Sequence, residues 1–318
     1  MFELKGKPKI GISTCLLGEN VRYNGGHKMD VYLKKTLSKY VDFYPICPEV
    51  ECGFGIPREA MQLHYVNDEK RLITINSKVD VTEQINIWLI KRRSYIKELK
   101  LNGYIFKSKS PSCGVYRTRL YRENQPPSLD SRGLFADDFI NNNPFVPIEE
   151  EGRLHDHELR ENFIERVFVH MKWAEIENSK GKKDLIDFHE SIKYLLMSRH
   201  QINLKEMGKI VSNFKDGEID EIYNKYFMKL SESLAIIATK KNICNVLEHI
   251  MGYFKKDLNV DEKQELKEII NNYSDGLVPL IVPITIINHY VRKYNEEYLK
   301  KQFFLNPHPL ELMLRNHV

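Results

Sequence analysis

Three cysteines, Cys15, Cys47 and Cys113, stand in polar loops, and each loop follows a short apolar run of the chain. The last of these loops, with the sequence KSKSPSCG at residues 107–114, comes after the run GYIF, which predicts a buried strand. Open α/β sheets usually carry their chemistry at the carboxyl ends of strands. We therefore expect the three thiols to meet at one edge of a sheet.

Three thiolates suit a [4Fe–4S] cluster with one iron left for substrate, or a catalytic zinc ion with an open fourth position. The cysteines have no C-x-x-C spacing, so the spacing does not choose between these occupants. The simpler interpretation is that each cysteine is a small buried hydrophobe. Cys52 is a further candidate ligand because it follows Cys47 by five residues, whereas Cys244 is expected in a helical core.

The composition is that of an ordinary globular protein. The chain has 318 residues, 42% hydrophobic and 29% charged, which is enough for two domains, and its net charge of +4 permits a polyanionic partner without requiring one. It has no apolar run of about 18 residues and no apolar centre of a signal peptide near its start, so we expect a cytoplasmic protein. Five irregularly spaced cysteines argue against a disulfide framework and favour metal ligation or catalysis.

Residues 1–150 alternate short apolar runs with segments of helical periodicity. The periodicity predicts helices over residues 31–39 and 81–97. The apolar runs predict strands at residues 10–12, 43–46, 72–75 and 104–106. Alternating strands and helices form βαβ units, so we expect an α/β domain with three layers and a mostly parallel sheet.

Residues 121–147 are rich in Pro, Asn, Asp, Ser and Gly, and we place a domain boundary near Glu150. The rest of the chain has almost no strand pattern. Residues 151–318 are therefore expected to form an all-α helical domain. Its predicted helices cover residues 158–178, 183–199, 203–214, 219–238, 240–255, 262–273 and 282–298.

Three ordered motifs in the first half resemble the thiouracil desulfidase family. They are STCLLGENVRYNGG at residues 13–26, PICPEV at 45–50, followed by Gly53, Pro57 and Arg58, and KSKSPSCG at 107–114. The second half resembles a YbgA-like helical domain through FHESIKYLLM at residues 188–197 and PHPLELMLRNH at 307–317. A fusion of these two domains resembles the desulfidases that act on 4-thiouridine in tRNA.

The resemblance implies an oxygen-sensitive [4Fe–4S] cluster held by Cys15, Cys47 and Cys113, with one iron not bound by cysteine. Cys52 stands where the family usually has a small residue. We do not expect it to be a ligand, because an all-cysteine cluster would leave no iron for the substrate's sulfur.

The implied reaction is hydrolytic replacement of a thiocarbonyl sulfur by oxygen, with 4-thiouridine in tRNA as the substrate. A nearer variant accepts only free thiopyrimidine bases and leaves the helical domain structural. The alternative function is not enzymatic: the protein would be a zinc or iron–sulfur module that binds RNA.

Two residues beside the thiols are candidates for proton transfer. Glu49 is the candidate base for the attacking water, and Ser110 is the candidate hydroxyl donor. The simpler interpretations are a charge at a helix N-terminus for Glu49 and a turn residue for Ser110. Five residues are predicted to contact the substrate: Arg22, Tyr23, Asn24, Lys107 and Ser112. The simpler interpretation is that they belong to a surface turn or a solvated loop.

The second half offers a weaker binding signal. His189, Lys193 and His200 share one helical face that would suit phosphate, or would simply be packed with satisfied histidines. A cluster of basic and aromatic residues would suit RNA, or would simply be a solvated amphipathic face. The cluster consists of Tyr290, Arg292, Lys293, Tyr294, Lys300 and Lys301.

Overall fold

The computed structural model of the protein describes residues 6–214 and 219–318. The chain divides into two compact units, and their described parts lie in Gly6–Asp156 and His157–Val318. Residues 1–5, part of the start considered for a signal peptide, lie outside the described residues. Within the described ranges, no helix is both long enough and apolar enough to cross a membrane.

A parallel sheet forms the centre of the first unit. Its strands are β1 (Lys9–Ser13), β2 (Asp42–Ile46), β5 (Gly103–Phe106) and β8 (Ile148–Glu150), in the order β2-β1-β5-β8. Ser13 lies opposite Ile46, and Ile12 lies opposite Ile105. The loops that follow β1, β2 and β5 therefore leave the same edge of the sheet, as predicted.

A second sheet is mixed. It consists of β3 (Met61–Val66), β4 (Glu69–Thr74), β6 (Thr118–Tyr121) and β7 (Ser128–Ser131), in the order β4-β3-β6-β7. The run at residues 72–75, which we grouped with the parallel strands, belongs mainly to β4 and pairs antiparallel with β3. Asn67 and Asp68 explain the difference, since their φ values of 50° and 62° allow a two-residue hairpin turn.

Helices cover the parallel sheet of the first unit: α1 (Val31–Lys35), α2 (Pro48–Glu51), α3 (Thr82–Leu99) and α4 (Leu134–Asn142). Helix α3 buries Ile85, Leu89 and Ile96 in the same apolar core as Tyr104 of β5. Full burial of such a side chain contributes roughly 1.5–3 kcal/mol. This packing fixes the sheet edge from which the thiol-bearing loops leave.

The second unit is helical. Its helices are α5 (His157–Ser179), α6 (Lys182–Arg199), α7 (Gln201–Ser212), α8 (Ile219–Ala235), α9 (Lys240–Met251), α10 (Val260–Ser274), α11 (Ile281–Lys293) and α12 (Glu297–Lys300). No strand occurs among the residues described there. The predicted fold class, an α/β domain followed by an all-α domain, is confirmed.

A buried ionic network joins α5 and α6 to the C-terminal segment. The Glu165 carboxylate accepts hydrogen bonds from Arg199 and, at 2.7 Å, from Nη2 of Arg315. Arg315 also donates to Glu161 at 2.8 Å and to the Phe304 carbonyl at 2.6 Å. Burial favours a raised pKa for Glu165, but the two guanidinium groups hold that pKa below its ordinary value.

Removing one member of this network should be costly. We expect Arg315→Ala to lower the free energy of unfolding by about 3–5 kcal/mol, because it leaves Glu161 without a counter-charge and the buried Glu165 with Arg199 alone. Urea unfolding followed by circular dichroism measures the change. Lys293→Ala is the control, since its exposed pair with Glu262 is worth at most about 1 kcal/mol. Equal losses in both variants would contradict the expectation.

Candidate active site

A cavity of about 730 Å³ opens at the carboxyl edge of the parallel sheet. Its walls include the loops after β1, β2 and β5 together with residues of β3 and β6 from the second sheet. Cys15, Cys47 and Cys113 all line it. The volume lies within the range of small-molecule sites. The structure thus brings together the three thiols that the strand-end pattern singles out.

Each thiol belongs to a locally ordered loop. Cys15 lies in the 3₁₀ turn Thr14–Leu17, directly after β1. Cys47 precedes α2, and its N–H donates to Oε1 of Glu51 at 3.1 Å. The Cys113 N–H donates to Oγ of Ser110 at 3.1 Å. Backbone hydrogen bonds therefore fix the positions of the last two thiols within their loops.

The thiols lie within electrostatic range of one another. Burial raises the pKa of Cys15 to about 11, and it also raises the pKa of Cys47 and, more strongly, that of Cys113. Negative charge on Cys47 adds to the increase at both Cys15 and Cys113. Without a bound cation these groups are protonated at neutral pH, whereas a metal centre would stabilise all three as thiolates.

The three thiols are a donor set that suits an iron–sulfur cluster. Among residues 6–214 and 219–318, no three His, Cys, Asp or Glu side chains converge as the ligands of one metal ion must. Cysteine ligands of a four-iron cluster bind different irons, so they stand farther apart. Cys15, Cys47 and Cys113 line one cavity, so they could bind three irons of one cluster.

Cys52 is placed differently. It ends the single turn of α2, is half-buried and packs against the apolar core rather than lining the cavity. Burial raises the pKa of its thiol to about 12. The geometry gives no support to Cys52 as a fourth ligand.

Glu49 lines the cavity and is firmly held. Its Oε2 accepts from Nε of Arg58 at 2.9 Å and from Nη2 of the same residue, while Oε1 accepts from Oγ of Ser112 at 2.9 Å. The Arg58 side chain is only 6% exposed. Glu49 also lies in the first turn of α2, so it is at once a charge at a helix N-terminus and an oriented carboxylate in the cavity.

The two serines of the Cys113 loop have different positions. Ser110 lines the cavity, and its Oγ accepts the N–H groups of Ser112 at 3.2 Å and Cys113 at 3.1 Å. Its own hydroxyl proton is left to donate. Ser112 is fully buried and contacts Glu49, so it positions that carboxylate from behind the cavity wall.

The predicted substrate contacts are only partly gathered in the cavity. Arg22 and Tyr23 line it, with the guanidinium of Arg22 5.4 Å from the tyrosine ring centre. Asn24 does not line it, because its exposed side chain accepts the Gly26 N–H at 3.2 Å. Lys107 lines the cavity, but its Nζ is paired with Glu151 at 2.5 Å.

Strand β6 and the residue before it add cavity residues that the sequence patterns did not single out. Arg117, Arg119 and Tyr121 line the cavity, and Gln62 of β3 donates to the Tyr121 hydroxyl at 3.1 Å. Their position could have been inferred from the segment YRTRLY, in which basic or aromatic residues alternate with buried ones. Such alternation is typical of a strand with one solvent-exposed face. The binding surface therefore extends onto the second sheet.

The cavity wall carries an excess of positive charge. Glu49 is the one acid among its described lining residues, and Arg58 neutralises it. Five cations that line the cavity make no ion pair within the described part of the chain, and they are Arg22, Lys28, Lys109, Arg117 and Arg119. Such a wall favours an anionic ligand.

In the second unit, the histidines proposed for phosphate have internal roles. His189 lies 3.0 Å from the Tyr226 hydroxyl, and burial lowers its pKa to about 4. His200 caps α7 by accepting the Asn203 N–H at 3.2 Å. Lys193 remains exposed, with Nζ 6.0 Å from the ring centre of Tyr298. The packed interpretation fits both histidines.

Only part of the predicted basic and aromatic cluster is exposed and free of ion pairs with described residues. Tyr290 is buried, Lys293 pairs with Glu262, and Lys300 pairs with Glu297. Arg292 and Lys301 are exposed, and neither forms an ion pair with any described residue. Two of the proposed cations thus remain open to a ligand.

Comparison with known proteins agrees with this division of the chain. Sequence models of two families match: 2-thiouracil desulfurase at residues 10–151, and a family described as a protein of unknown function, DUF1722, at residues 193–309. The uncharacterized protein YbgA of Escherichia coli is 29% identical over 141 residues, which is 44% of this chain and 83% of that protein.

Two further proteins are similar. The uncharacterized protein YbbK of Bacillus subtilis is 32% identical over 111 residues, 33% of this chain and 72% of that protein. A solved structure of TudS, described as a [4Fe–4S]-dependent thiouracil desulfidase, has 25% identity and a TM-score of 0.38, over 47% of this chain and 94% of that one. By its first half the chain belongs to the 2-thiouracil desulfurase family, with a DUF1722 region of the YbgA type in its second half.

Proposed function

We propose that this protein is a [4Fe–4S]-dependent desulfidase that converts 4-thiouridine in tRNA to uridine and releases sulfide. Family membership and the three thiols around one cavity support a desulfidase. We choose a phosphate-bearing substrate because five cations on the cavity wall make no ion pair with described residues.

Cys15, Cys47 and Cys113 would hold the cluster. Once bound, the cluster supplies an iron without a cysteine ligand, which acts as a Lewis acid toward the soft thiocarbonyl sulfur. Cys52 takes no part, because it packs against the apolar core. Residues of the first unit therefore provide all the ligands.

Glu49 and Ser110 carry the proton transfers. Glu49 accepts a proton from the water that attacks C4 of the pyrimidine, and Arg58 and Ser112 keep its carboxylate oriented. Ser110 donates its hydroxyl hydrogen bond to the ring nitrogen or to the departing sulfur. A C–O bond forms, the C–S bond breaks, and the two protons of water balance the released sulfide.

The charge of the wall favours a nucleotide over a free base. A thiouracil base is uncharged and would add no partner for these cations, whereas phosphates of a nucleic acid would meet several of them. A hydrogen bond to a charged group is worth about 1.5–3 kcal/mol. Arg119 of β6 and Arg117, which directly precedes that strand, are the cations assigned here to substrate phosphates.

Within this proposal, residues 1–150 form the catalytic domain and residues 151–318 form a helical domain that contacts the rest of the tRNA. Lys193, Arg292 and Lys301 support that assignment, since each is exposed and none makes an ion pair among the residues described. His189 and His200 are not part of it, because both are held internally.

We expect Arg117→Ala and Arg119→Ala each to raise KM for thiolated tRNA about tenfold, since each change removes about 1.4 kcal/mol of phosphate binding. The cluster content should not change. Lys35→Ala in α1 is the matched control, because Lys35 is exposed and lies outside the cavity. A KM increase that persists at high salt would contradict an electrostatic role for these arginines.

The deciding experiment is anaerobic reconstitution followed by incubation with tRNA that contains 4-thiouridine. Loss of the near-ultraviolet thiocarbonyl absorbance, together with released sulfide, is the expected result. Persistence of the band while free thiouracil is consumed would show that the enzyme acts on bases alone. A protein that binds RNA but turns over neither substrate would be a binding module and not a desulfidase.

A further inference from the structure

The second sheet has one apolar face and one polar face. Leu63 of β3 and Leu120 of β6 lie opposite each other and are buried in the apolar core. The next residue of each strand points to the other face, because neighbouring residues of a strand alternate between faces. That polar face carries side chains that are half-buried or exposed, namely Gln62 and His64 of β3 and Arg119 and Tyr121 of β6. Three of them, Gln62, Arg119 and Tyr121, also line the cavity.

Tyr121 is held firmly on the polar face. Nε2 of Gln62 donates to its hydroxyl at 3.1 Å. Its ring stacks on the ring of His64, with centroids 5.3 Å apart and planes 24° from parallel. Burial lowers the pKa of His64, so the imidazole is neutral at pH 7 and packs as an aromatic ring. Tyr121 is therefore a preorganised flat surface that remains accessible from the cavity.

Unpaired positive charge lies beside this ring. Arg119 precedes Tyr121 by two residues in β6, which places their Cα atoms about 7 Å apart on the same face. Arg117 directly precedes the strand, and neither arginine makes an ion pair with any described residue. Arg71 of β4, on the same face, is neutralised by Glu69 at 2.6 Å. The free cations of the polar face are thus those next to Tyr121.

An aromatic ring flanked by free cations suits single-stranded RNA, because the cations meet phosphates while a base stacks on the ring. An acidic peptide would pair with the arginines but would make no use of a flat ring. The stacked base is not the base that reacts. Cys113 packs in the same apolar core as Leu63 and Leu120, which lie on the opposite face of the sheet from Tyr121.

We infer that Tyr121 stacks on an unpaired nucleobase of the RNA next to the thiolated nucleotide, while Arg119 holds a phosphate beside it. The inference rests on the proposed function, since it takes RNA as the substrate. Tyr121 is then a binding residue that contacts no reacting atom.

Binding of a single-stranded oligoribonucleotide without sulfur tests the inference, because this measurement depends on neither cluster nor turnover. We expect Tyr121→Leu to raise Kd about tenfold, since the base loses its aromatic partner. The dependence of log Kd on log salt should not change in this variant, whereas Arg119→Ala should reduce that slope by about 0.7. Tyr121→Phe keeps the ring and should bind like the wild-type protein. Tyr65→Leu is the matched control, because Tyr65 is an exposed tyrosine of β3 outside the cavity.

Tyr121→Trp gives a second readout should the leucine variant fail to fold. Its additional fluorescence should be quenched when the oligoribonucleotide binds, since a stacked base contacts the indole ring. Unchanged emission on binding would overturn the stacking. A wild-type Kd in folded Tyr121→Leu would overturn it as well, and so would polyglutamate that binds as tightly as RNA of equal charge.

Failure of this inference can be told apart from failure of the proposed function. A wild-type protein that binds no RNA would overturn both the stacking and the tRNA substrate. Turnover of thiolated tRNA, together with unchanged RNA affinity in Tyr121→Leu, would leave the proposed function intact and remove only the role of Tyr121. Binding of RNA through Tyr121 by a loaded protein that turns over no thiolated substrate would support the stacking and overturn the desulfidase.

Discussion

Replacing Cys113 with alanine is expected to abolish both iron binding and desulfidase turnover. Cys113 is buried at the cavity, and its backbone N–H donates to Oγ of Ser110, so its thiol is held at the site. Two remaining thiols hold a cluster too weakly, since cubane clusters depend on their cysteine thiolates. Iron and sulfide content after anaerobic reconstitution, together with the brown colour of the protein, measure the loss.

Cys52→Ala is the matched control for this substitution. It removes a thiol of the same domain that packs on the core and does not line the cavity. We expect wild-type iron content in this variant, at the cost of a small cavity and about 1 kcal/mol of stability. An iron-free Cys52→Ala protein beside a loaded Cys113→Ala protein would show that our ligand set is wrong.

The positions of the three thiols could be predicted because strand exits are local. The apolar runs at residues 10–12, 43–46 and 104–106 lie in strands that end at Ser13, Ile46 and Phe106, and parallel pairing brings these ends to one edge of the sheet. Each run is followed within a few residues by polar sequence and a cysteine. Periodicity and the rule for α/β sheets are sufficient for that inference.

The second sheet could not be predicted from the same signals. Apolar runs identify strands but do not reveal which sheet a strand joins. The prediction of parallel strands did not take into account the Asn67-Asp68 turn, which lets β4 pair with β3. The alternation of exposed and buried residues in β6 can also be seen in the sequence. Which face of β6 lines the cavity, however, depends on its pairing with β3, more than 50 residues earlier in the chain. Long-range pairing decides such questions.

The contacts within the site also could not be predicted from the sequence, because they join residues that are far apart in the chain. Glu49 contacts Ser112, which is 63 residues away in sequence, and Lys107 contacts Glu151, which is 44 residues away. Residue types identified Glu49, Ser112 and Lys107 as polar groups near the thiols. Only the folded geometry shows that Ser112 positions Glu49 and that Glu151 neutralises Lys107.

Glu49→Gln is expected to keep the cluster and to lower turnover by about 10²–10⁴-fold, the usual contribution of a general base. Glutamine preserves the shape of the side chain and can still accept hydrogen bonds through its carbonyl oxygen, so the Cys47 loop should fold normally. Its amide cannot take a proton from the attacking water. Iron content and the initial rate of thiocarbonyl loss, measured on the same preparation, separate the two effects.

The control for this substitution is Glu83→Gln, which changes an exposed carboxylate in the first turn of α3, outside the cavity. It should leave both iron content and rate unchanged. Loss of iron from the Glu49 variant would instead mean that the carboxylate, held by Arg58 and Ser112, maintains the shape of the site. The attacking water would then need another base. A slow but fully loaded Glu49→Gln enzyme is the result that assigns proton transfer to this residue.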